Sequence, residues 1–511
     1  MRRQDVSTQV LAQAPGYRLR IRTTLRRPAV LSTAVPVALA LLSVAARVPF
    51  LTRPLSPDEG GFLLLAGQWS PGSSLYGDYW VDRPPLLIGL FGIADLLGGA
   101  VGLRLLGMVA VAVSVVLAGV IGRVSAPERR WAPVLTAATA AVFLSTPLLG
   151  AREVDGELLA CPFVLGGLCA VLKAVATDRR AHAWWVVAGV LAVCAAAVKQ
   201  NMAEVAVAGT VALVWQARTR SVRRAAYGAL AAAAGAAATL VALVVWAETR
   251  GTEPRALWDA AVSFRFHAAA VISTDDPHST SQRLRSMLTA LARSAAPVLF
   301  LLPLLRVPRA RRPGCLPFVA AAVCAWEVIG VAGGGSYWWH YLVGLVPGLV
   351  LVAAAVTRHR PGLQAPLAVV LAYAVVVGVQ VTLTYPALTH GQKEDQAAAD
   401  YLADQARPGD TGVVAFGIPS ILQKADLRSP YRYLWSLPVR VRDPDLSELA
   451  SVLRGPDRPT WVAVDGPTLD TWGIEPAKAQ RVLDGRYRLV HVVGTWHIFR
   501  VDPAGGGTLT R

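Results

Sequence analysis

The sequence predicts a mainly α-helical protein: a polytopic membrane helical bundle of about 11 transmembrane helices, followed by a small C-terminal α/β domain. Of the 511 residues 54% are hydrophobic, and the mean hydropathy of +0.45 is high for a water-soluble chain. Apolar stretches of about 20 residues, enough to cross a bilayer as a helix, recur as far as residue 384. Beyond that point, short apolar strands alternate with helical patterns.

The predicted membrane-spanning stretches lie within residues 29–385, which we assign as the transmembrane domain. The fifth and sixth stretches are separated only by Lys199-Gln200-Asn201, so they are expected to form a tight helical hairpin. The eleven stretches are residues 29–50, 102–122, 132–149, 158–176, 183–199, 202–216, 225–247, 287–305, 314–332, 340–356 and 365–384.

The formal net charge of +17 comes from basic residues in short loops between apolar stretches. Membrane proteins keep such loops in the cytoplasm, together with basic leaders such as residues 1–28. We therefore expect a multi-pass protein of the inner (plasma) membrane with a cytoplasmic N-terminus and no nucleic-acid partner. With eleven spans, the long first loop (50–101) and the C-terminal domain lie on the extracytoplasmic side.

The first outer loop contains two apolar stretches, residues 60–69 and 84–98, that are short and rich in glycine. They are expected to form helices that lie in the membrane interface rather than cross it. Aromatic residues beside them are typical of the belt at the level of the lipid headgroups. These belt residues are Trp69, Tyr76, Tyr79 and Trp80.

The C-terminal part, residues 386–503, is predicted to be an extracytoplasmic α/β domain. An amphipathic helix is expected over residues 393–406. The predicted strands are residues 411–416, 460–464, 487–493 and 496–501. Residues 504–511 are expected to be a disordered tail.

Carboxylates in two different outer loops are the first candidates for chemistry. Asp58 and Glu59 follow the first span, and Asp155 precedes the fourth. Acidic groups at a membrane surface are costly unless they are solvated or used. Two of them on one surface suit a general base with an orienting group, or the ligands of a metal ion. The alternative is that Asp58 and Asp155 belong to helix N-termini, where acids are common.

Cations and a histidine on the same side complete the candidate site. Arg83 precedes Pro84-Pro85, and Lys199 lies at the tip of the predicted hairpin. Arginine binds two oxygens of a phosphate at once, although a snorkelling arginine is the ordinary alternative. His340 and Tyr341 open the tenth span in an aromatic stretch that is also typical of an interfacial belt.

Four segments together resemble the membrane glycosyltransferases of the GT-C class, nearest to the protein O-mannosyltransferase and aminoarabinose (lipid A) transferase superfamily. They read SPDEGGFLLLAGQW, LYGDYWVDRPPLL, AREVDGE and VKQNMAE. The resemblance implies that Asp58 is the catalytic acid, with Glu59 as its partner and Asp155 as the acid of the second loop. It also implies a donor-binding set: Arg83, Lys199, His340, Tyr341 and Tyr79. Gly60-Gly61 departs from the family pattern.

The resemblance further implies an inverting transfer of a sugar from a polyprenyl-phosphate donor to an acceptor hydroxyl. The acceptor would be a lipid, glycan or protein, with membrane lipids around the site. If the reaction uses a divalent metal ion, Asp58 and Asp155 are its expected ligands. The alternative is a transporter or flippase of a lipid-linked saccharide. That function favours polar residues at mid-membrane depth, of which Glu327 is the clearest.

Overall fold

The structure is a computed structural model that describes residues 27–69, 75–76, 79–273, 277–305, 314–384 and 390–502. Apart from Arg27 and Pro28, which begin the first helix, the predicted leader (1–28) lies outside the described residues. The predicted disordered tail (504–511) lies outside them as well.

Helices make up most of the described residues before residue 385. Two of them, α2 and α3, lie in the first loop where the sequence predicted interfacial helices. The helices are α1 (Arg27–Ala45), α2 (Pro57–Gln68), α3 (Pro85–Leu96), α4 (Ala100–Ser125), α5 (Ala132–Phe143), α6 (Gly156–Ala176), α7 (Ala181–Val198), α8 (Glu204–Thr219), α9 (Val222–Thr249), α10 (Pro254–Trp258), α11 (Phe264–Ser273), α12 (Pro277–Arg293), α13 (Ala296–Leu301), α14 (Leu316–Gly333), α15 (Val346–His359) and α16 (Gln364–Thr384).

The fold class is confirmed: 8 helices of the described residues are long and apolar enough to cross a membrane. A ninth candidate is the pair α12–α13, which is bent by 63°. Every predicted span overlaps a helix or this pair, but α5 and α8 have only 12 and 16 residues. They are shorter than a full crossing needs, so the count of eleven spans stays a prediction.

The bundle is built around two central helices. In α6, 78% of the most apolar window is buried, and the corresponding value for Trp339–His359, which contains α15, is 83%. By contrast, α9 buries only 11% and therefore lies at the periphery with its alanines and leucines exposed. The loops that precede the two central helices carry Asp155 and His340, so the most rigid part of the bundle positions these residues.

The predicted aromatic belt of the first loop is wrong for three of its four members. Trp69, Tyr76 and Tyr79 are 4%, 0% and 1% exposed. Trp69 packs between Tyr76 and Trp246 of α9, with ring centroids 4.8 and 5.0 Å away. These side chains are covered by protein because the loop folds back over α9 and meets the C-terminal domain.

The C-terminal domain has a four-stranded sheet with the strand order β1-β2-β4-β3. Strands β1 and β2 are parallel, and the other two pairs are antiparallel. All four predicted strands are confirmed within one or two residues. The elements are α17 (His390–Gln405), β1 (Gly412–Ala415), α18 (Ser420–Lys424), α19 (Ser436–Arg442), α20 (Ser447–Arg454), β2 (Trp461–Asp465), α21 (Ala477–Arg486), β3 (Tyr487–Val493) and β4 (Trp496–Val501).

Candidate active site

The acidic pair of the first loop opens helix α2. Ser56 is the N-cap, and its hydroxyl accepts a hydrogen bond from the Glu59 N–H at 3.3 Å. The Glu59 carboxylate accepts one from the Ser56 N–H at 2.8 Å in return. This capping box, with Pro57 in the first helical position, explains why the helix begins here. It also points the two neighbouring carboxylates in different directions.

Glu59 is buried, with 1% of its surface exposed, and its carboxylate is fully engaged. It forms an ion pair with Arg104 of α4, whose second nitrogen donates at 2.9 Å. It also accepts a hydrogen bond from the N–H of Val154, in the loop before α6, at 2.7 Å. Glu59 therefore joins the first loop, α4 and the second loop. We assign it a positioning role rather than a direct part in catalysis.

Asp58 is half-buried beside this pair and points toward the C-terminal domain. Its Oδ1 accepts a hydrogen bond from the indole Nε1–H of Trp435 at 2.9 Å. Among the described residues, its second oxygen has no hydrogen-bond partner. One carboxylate oxygen is thus held in place while the other stays available.

Asp155 caps helix α6, as the structural alternative predicted. Its Oδ1 accepts a hydrogen bond from the Leu158 N–H at 3.0 Å, and its Oδ2 lies 3.8 Å from Nδ1 of His340. His340 comes close to the second loop because Gly150 has a φ of +71° and no side chain. A Cβ at Gly150 would lie 2.5 Å from the backbone nitrogen of His340. Burial, reinforced by the charge of Glu157, raises the pKa of Asp155 well above its usual value.

A cavity of about 370 Å³ lies on the side of His340 that faces the second loop, and Glu153 lines it with Arg53 and Arg152. No sequence motif distinguishes Glu153 from its neighbours. Burial, together with the charges of Glu59 and Asp58, raises its pKa to about 7. This shift indicates that the carboxylates of both outer loops share one electrostatic environment.

A larger cavity of about 930 Å³ contains the predicted cations. Arg83, Lys199 and Arg265 line it, together with Tyr341. Lys199 forms an ion pair with Glu157 and places its ammonium 4.9 Å from the centre of the Tyr341 ring. The site thus brings together three of the predicted donor-binding residues: Arg83, Lys199 and Tyr341.

Asp82 holds two of these cations. Its carboxylate pairs with Arg83 at 2.6 Å and with Arg265 at 3.0 Å. Burial by itself raises the pKa of Asp82, but the two guanidinium groups outweigh burial and lower it. Sequence patterns assigned no role to Arg265, because its partner Asp82 lies 183 residues earlier in the chain.

Apolar side chains also line the large cavity. They include Ile272, Leu284, Trp326 and Ile329, from α11, α12 and α14. Ile329 is 61% exposed, which places part of this lining at the outer surface of the bundle. A cavity lined by both cations and apolar side chains suits an amphiphile with an anionic head.

Two predicted assignments do not agree with this geometry. Tyr79 was predicted to bind the donor, but its hydroxyl accepts a hydrogen bond from the N–H of Ser429 in the C-terminal domain at 2.9 Å. It is buried at that contact and does not line the large cavity. Asp58 and Asp155 were the predicted metal ligands. Asp155 instead groups with Glu157 and His340, while Asp58 is held by Trp435.

Comparison with known proteins gives matches among solved structures, whereas no family model and no curated protein matches the sequence. ArnT from Cupriavidus metallidurans, bound to undecaprenyl phosphate, matches with a TM-score of 0.56 and 15% identity over 94% of this chain and 99% of ArnT. The apo form of ArnT matches with a TM-score of 0.55 and 14% identity over 93% and 99% of the chains. The chain has the GT-C membrane glycosyltransferase fold.

This fold confirms the resemblance drawn from the four sequence segments. The oligosaccharyltransferase of Archaeoglobus fulgidus also matches, with a TM-score of 0.47 and 13% identity over 84% of this chain and 68% of its own. The GT-C fold of this chain includes the C-terminal domain, because the match to ArnT extends over nearly all of both chains.

The first prediction concerns the Glu59–Arg104 pair. Glu59→Gln leaves a buried guanidinium without its counter-charge, so we expect the free energy of unfolding to fall by about 3–5 kcal/mol. Thermal or denaturant unfolding in detergent measures this. Glu448→Gln is the control, because Glu448 pairs with Arg432 on the surface and such pairs contribute only about 0–1 kcal/mol. Equal stability of the two variants would contradict the role assigned to Glu59.

The second prediction concerns Glu153. Its pKa is about 7 when folded and about 4.5 when unfolded, so between these values only the folded protein keeps the proton. Stability therefore falls as the pH rises through this window. Glu153→Gln mimics the protonated form and is expected to flatten the fall in thermal midpoint between about pH 5 and about pH 7. An unchanged slope in this variant would show that Glu153 ionises normally.

Proposed function

We propose that this protein is an inverting glycosyltransferase that moves a sugar from a polyprenyl-phosphate donor to an acceptor hydroxyl at the extracytoplasmic face of the membrane. The observation that carries this proposal is the cavity that Arg83, Lys199 and Arg265 line together with apolar side chains. The ArnT structure that shares the fold was determined with undecaprenyl phosphate, an amphiphile of this kind.

The charges of the cavity fit a lipid phosphate. Three cations face it, and Asp82 and Glu157 neutralise two of them, so one net positive charge is left. A sugar phosphodiester carries one negative charge, and the phosphate gains a second when the sugar departs. Fixed cations stabilise that developing charge in a site shielded from water.

The transfer is a single displacement. The acceptor oxygen attacks the anomeric carbon, and its proton passes to the free oxygen of Asp58. The bond between the anomeric carbon and the phosphate oxygen breaks, and the electron pair leaves with the polyprenyl phosphate. Attack opposite to the leaving group inverts the anomeric configuration. Asp58 also lies close to Arg83. Burial lowers the pKa of the Arg83 guanidinium, but the charge of Asp82 and, to a smaller extent, that of Asp58 raise it above its usual value.

The third prediction tests this base. Asp58→Asn is expected to lower the rate of transfer by about 10²–10⁴-fold without changing the thermal midpoint, because it removes only the proton acceptor. The assay uses proteoliposomes, a panel of undecaprenyl-phosphate pentoses and hexoses, and a cell-envelope extract as acceptor. Asp404→Asn, an exposed position on α17, is the control.

Near-normal transfer by Asp58→Asn would overturn the assignment of the base. The same proteoliposomes separate the enzyme from the transporter alternative. A covalent glycosyl product supports the transferase. Movement of the labelled lipid across the bilayer without any product would instead support a flippase.

A divalent metal ion fits the cluster of Asp155, Glu157 and His340. Their ligand atoms lie within 4.8 Å of one another. Asp155 Oδ2 and Glu157 Oε2 are buried and have no hydrogen-bond partner among the described residues. Two carboxylate oxygens and one imidazole nitrogen suit ions such as Zn²⁺ or Mn²⁺. When bound there, the ion would add positive charge beside Lys199. We therefore propose this cluster, in place of the Asp58–Asp155 pair, as the metal site.

The fourth prediction follows from that cluster. Protein purified with Mn²⁺ is expected to retain close to one equivalent of metal by elemental analysis, and His340→Ala is expected to lose it, because the only nitrogen ligand is removed. His497→Ala in the C-terminal domain is the control. Equal metal content in the two variants, or none in the unaltered protein, would refute a metal site at this cluster.

A further inference from the structure

The C-terminal domain approaches helix α2 at two consecutive glycines. A Cβ on Gly60 would lie 2.5 Å from the Cα of Ser420, and a Cβ on Gly61 would overlap the ring of Trp435. Glycine within a helix costs about 1 kcal/mol relative to alanine, so its presence in this first turn needs a reason. The close approach of the domain supplies that reason. It also explains why the chain departs from the family pattern at this pair.

The side chain of Trp435 contacts the proposed base and is connected through Phe62 to a cation of the donor cavity. Its indole N–H donates to Asp58, and its ring packs on Phe62 with centroids 5.2 Å apart. Phe62 also contacts the guanidinium of Arg83, which lies 5.8 Å from the centre of the Phe62 ring. Asp58, Trp435, Phe62 and Arg83 thus form one continuous row of contacts.

The chain that carries Trp435 is fixed to the first outer loop. The Trp80 N–H donates to the carbonyl of Arg432 at 3.0 Å, and the Ser429 N–H donates to the Tyr79 hydroxyl at 2.9 Å. The rings of Trp80 and Tyr433 pack edge to face with centroids 6.1 Å apart. These contacts fix the segment 429–433 against the first loop. The indole of Trp435, two residues later, therefore reaches Asp58 in a defined position.

We propose that the C-terminal domain completes the active site, and that Trp435 is a positioning residue for Asp58. The indole N–H holds Oδ1, which turns the other oxygen of the carboxylate toward the acceptor hydroxyl. The ring closes one side of the space in front of Asp58, so an acceptor reaches the base along the surface of this domain. This inference rests on the proposed function, since it assigns Trp435 a role only if Asp58 is the base.

The fifth prediction removes the indole N–H. Trp435→Phe keeps an aromatic ring against Phe62 but loses the hydrogen bond to a charged group, so kcat is expected to fall by about 10–100-fold. The KM for the undecaprenyl-phosphate sugar should stay within about twofold, because Trp435 does not line the donor cavity. A merely structural role would instead lower the thermal midpoint and change both parameters.

Two matched controls lie in the same domain. Trp461 and Trp496 also donate their indole N–H to carboxylates, those of Asp410 and Asp395, at 2.9 Å each. Their phenylalanine variants lose the same type of bond away from Asp58 and should keep kcat. A loss of kcat as large in these variants as in Trp435→Phe would overturn the inference.

A second variant tests the geometry without altering Trp435. Gly61→Ala forces the indole away from α2, and it should lower kcat in the same way as Trp435→Phe. Gly92→Ala on α3 is its control, because a Cβ there meets no atom within 4 Å. If Trp435→Phe and Gly61→Ala both keep normal kcat while Asp58→Asn is inactive, the inference fails and the proposed function stands. If Asp58→Asn keeps near-normal transfer, the assignment of the base fails and the role of Trp435 fails with it. If no glycosyl product forms with the unaltered protein, the proposed function itself fails.

Discussion

The buried carboxylate of Glu59 is the constraint on which the site depends. It binds Arg104 of α4 and the backbone of Val154, and it closes the capping box with Ser56. A buried ion pair is favourable only when further hydrogen bonds compensate for the lost hydration. Here both terminal nitrogens of Arg104 donate, to Glu59 and to the carbonyls of Arg53 and Pro54. The adjacent Asp58, which we propose as the base, lies outside this network and accepts a hydrogen bond from Trp435 through Oδ1.

The sequence could predict most of the fold because its signals are local. Apolar stretches of spanning length, the Ser56-Pro57 helix start and the alternation of the four C-terminal strands are each read within a few residues. Local features also pointed to Arg83 and Lys199, which line one cavity: Arg83 precedes Pro84-Pro85, and Lys199 lies in the short turn between two predicted spans. The prediction that Asp58 and Asp155 bind one metal ion required the two carboxylates to lie close together. Local sequence patterns do not determine the distance between residues of separate loops.

What the sequence could not predict arises from contacts between distant segments. Trp435 lies 377 residues after Asp58 along the chain, and nothing near it distinguishes it from other tryptophans. Tyr79 was placed in the membrane interface because aromatic residues often occur there, but the C-terminal domain covers it. Both outcomes have one cause, which is that the C-terminal domain packs on the first loop. No local pattern in either segment indicates that the two are in contact.

Glu327, the residue that favoured a transporter, has a structural explanation. Its carboxylate accepts a hydrogen bond from the Gly348 N–H at 2.7 Å, in the first turn of α15. The first N–H groups of a helix lack partners within it, and a negative charge is favourable at that end. Gly348 allows the contact, because a Cβ there would overlap the carboxylate. This capping contact explains the buried Glu327 without a translocation path. The proposed function therefore rests on the cationic cavity and on Asp58.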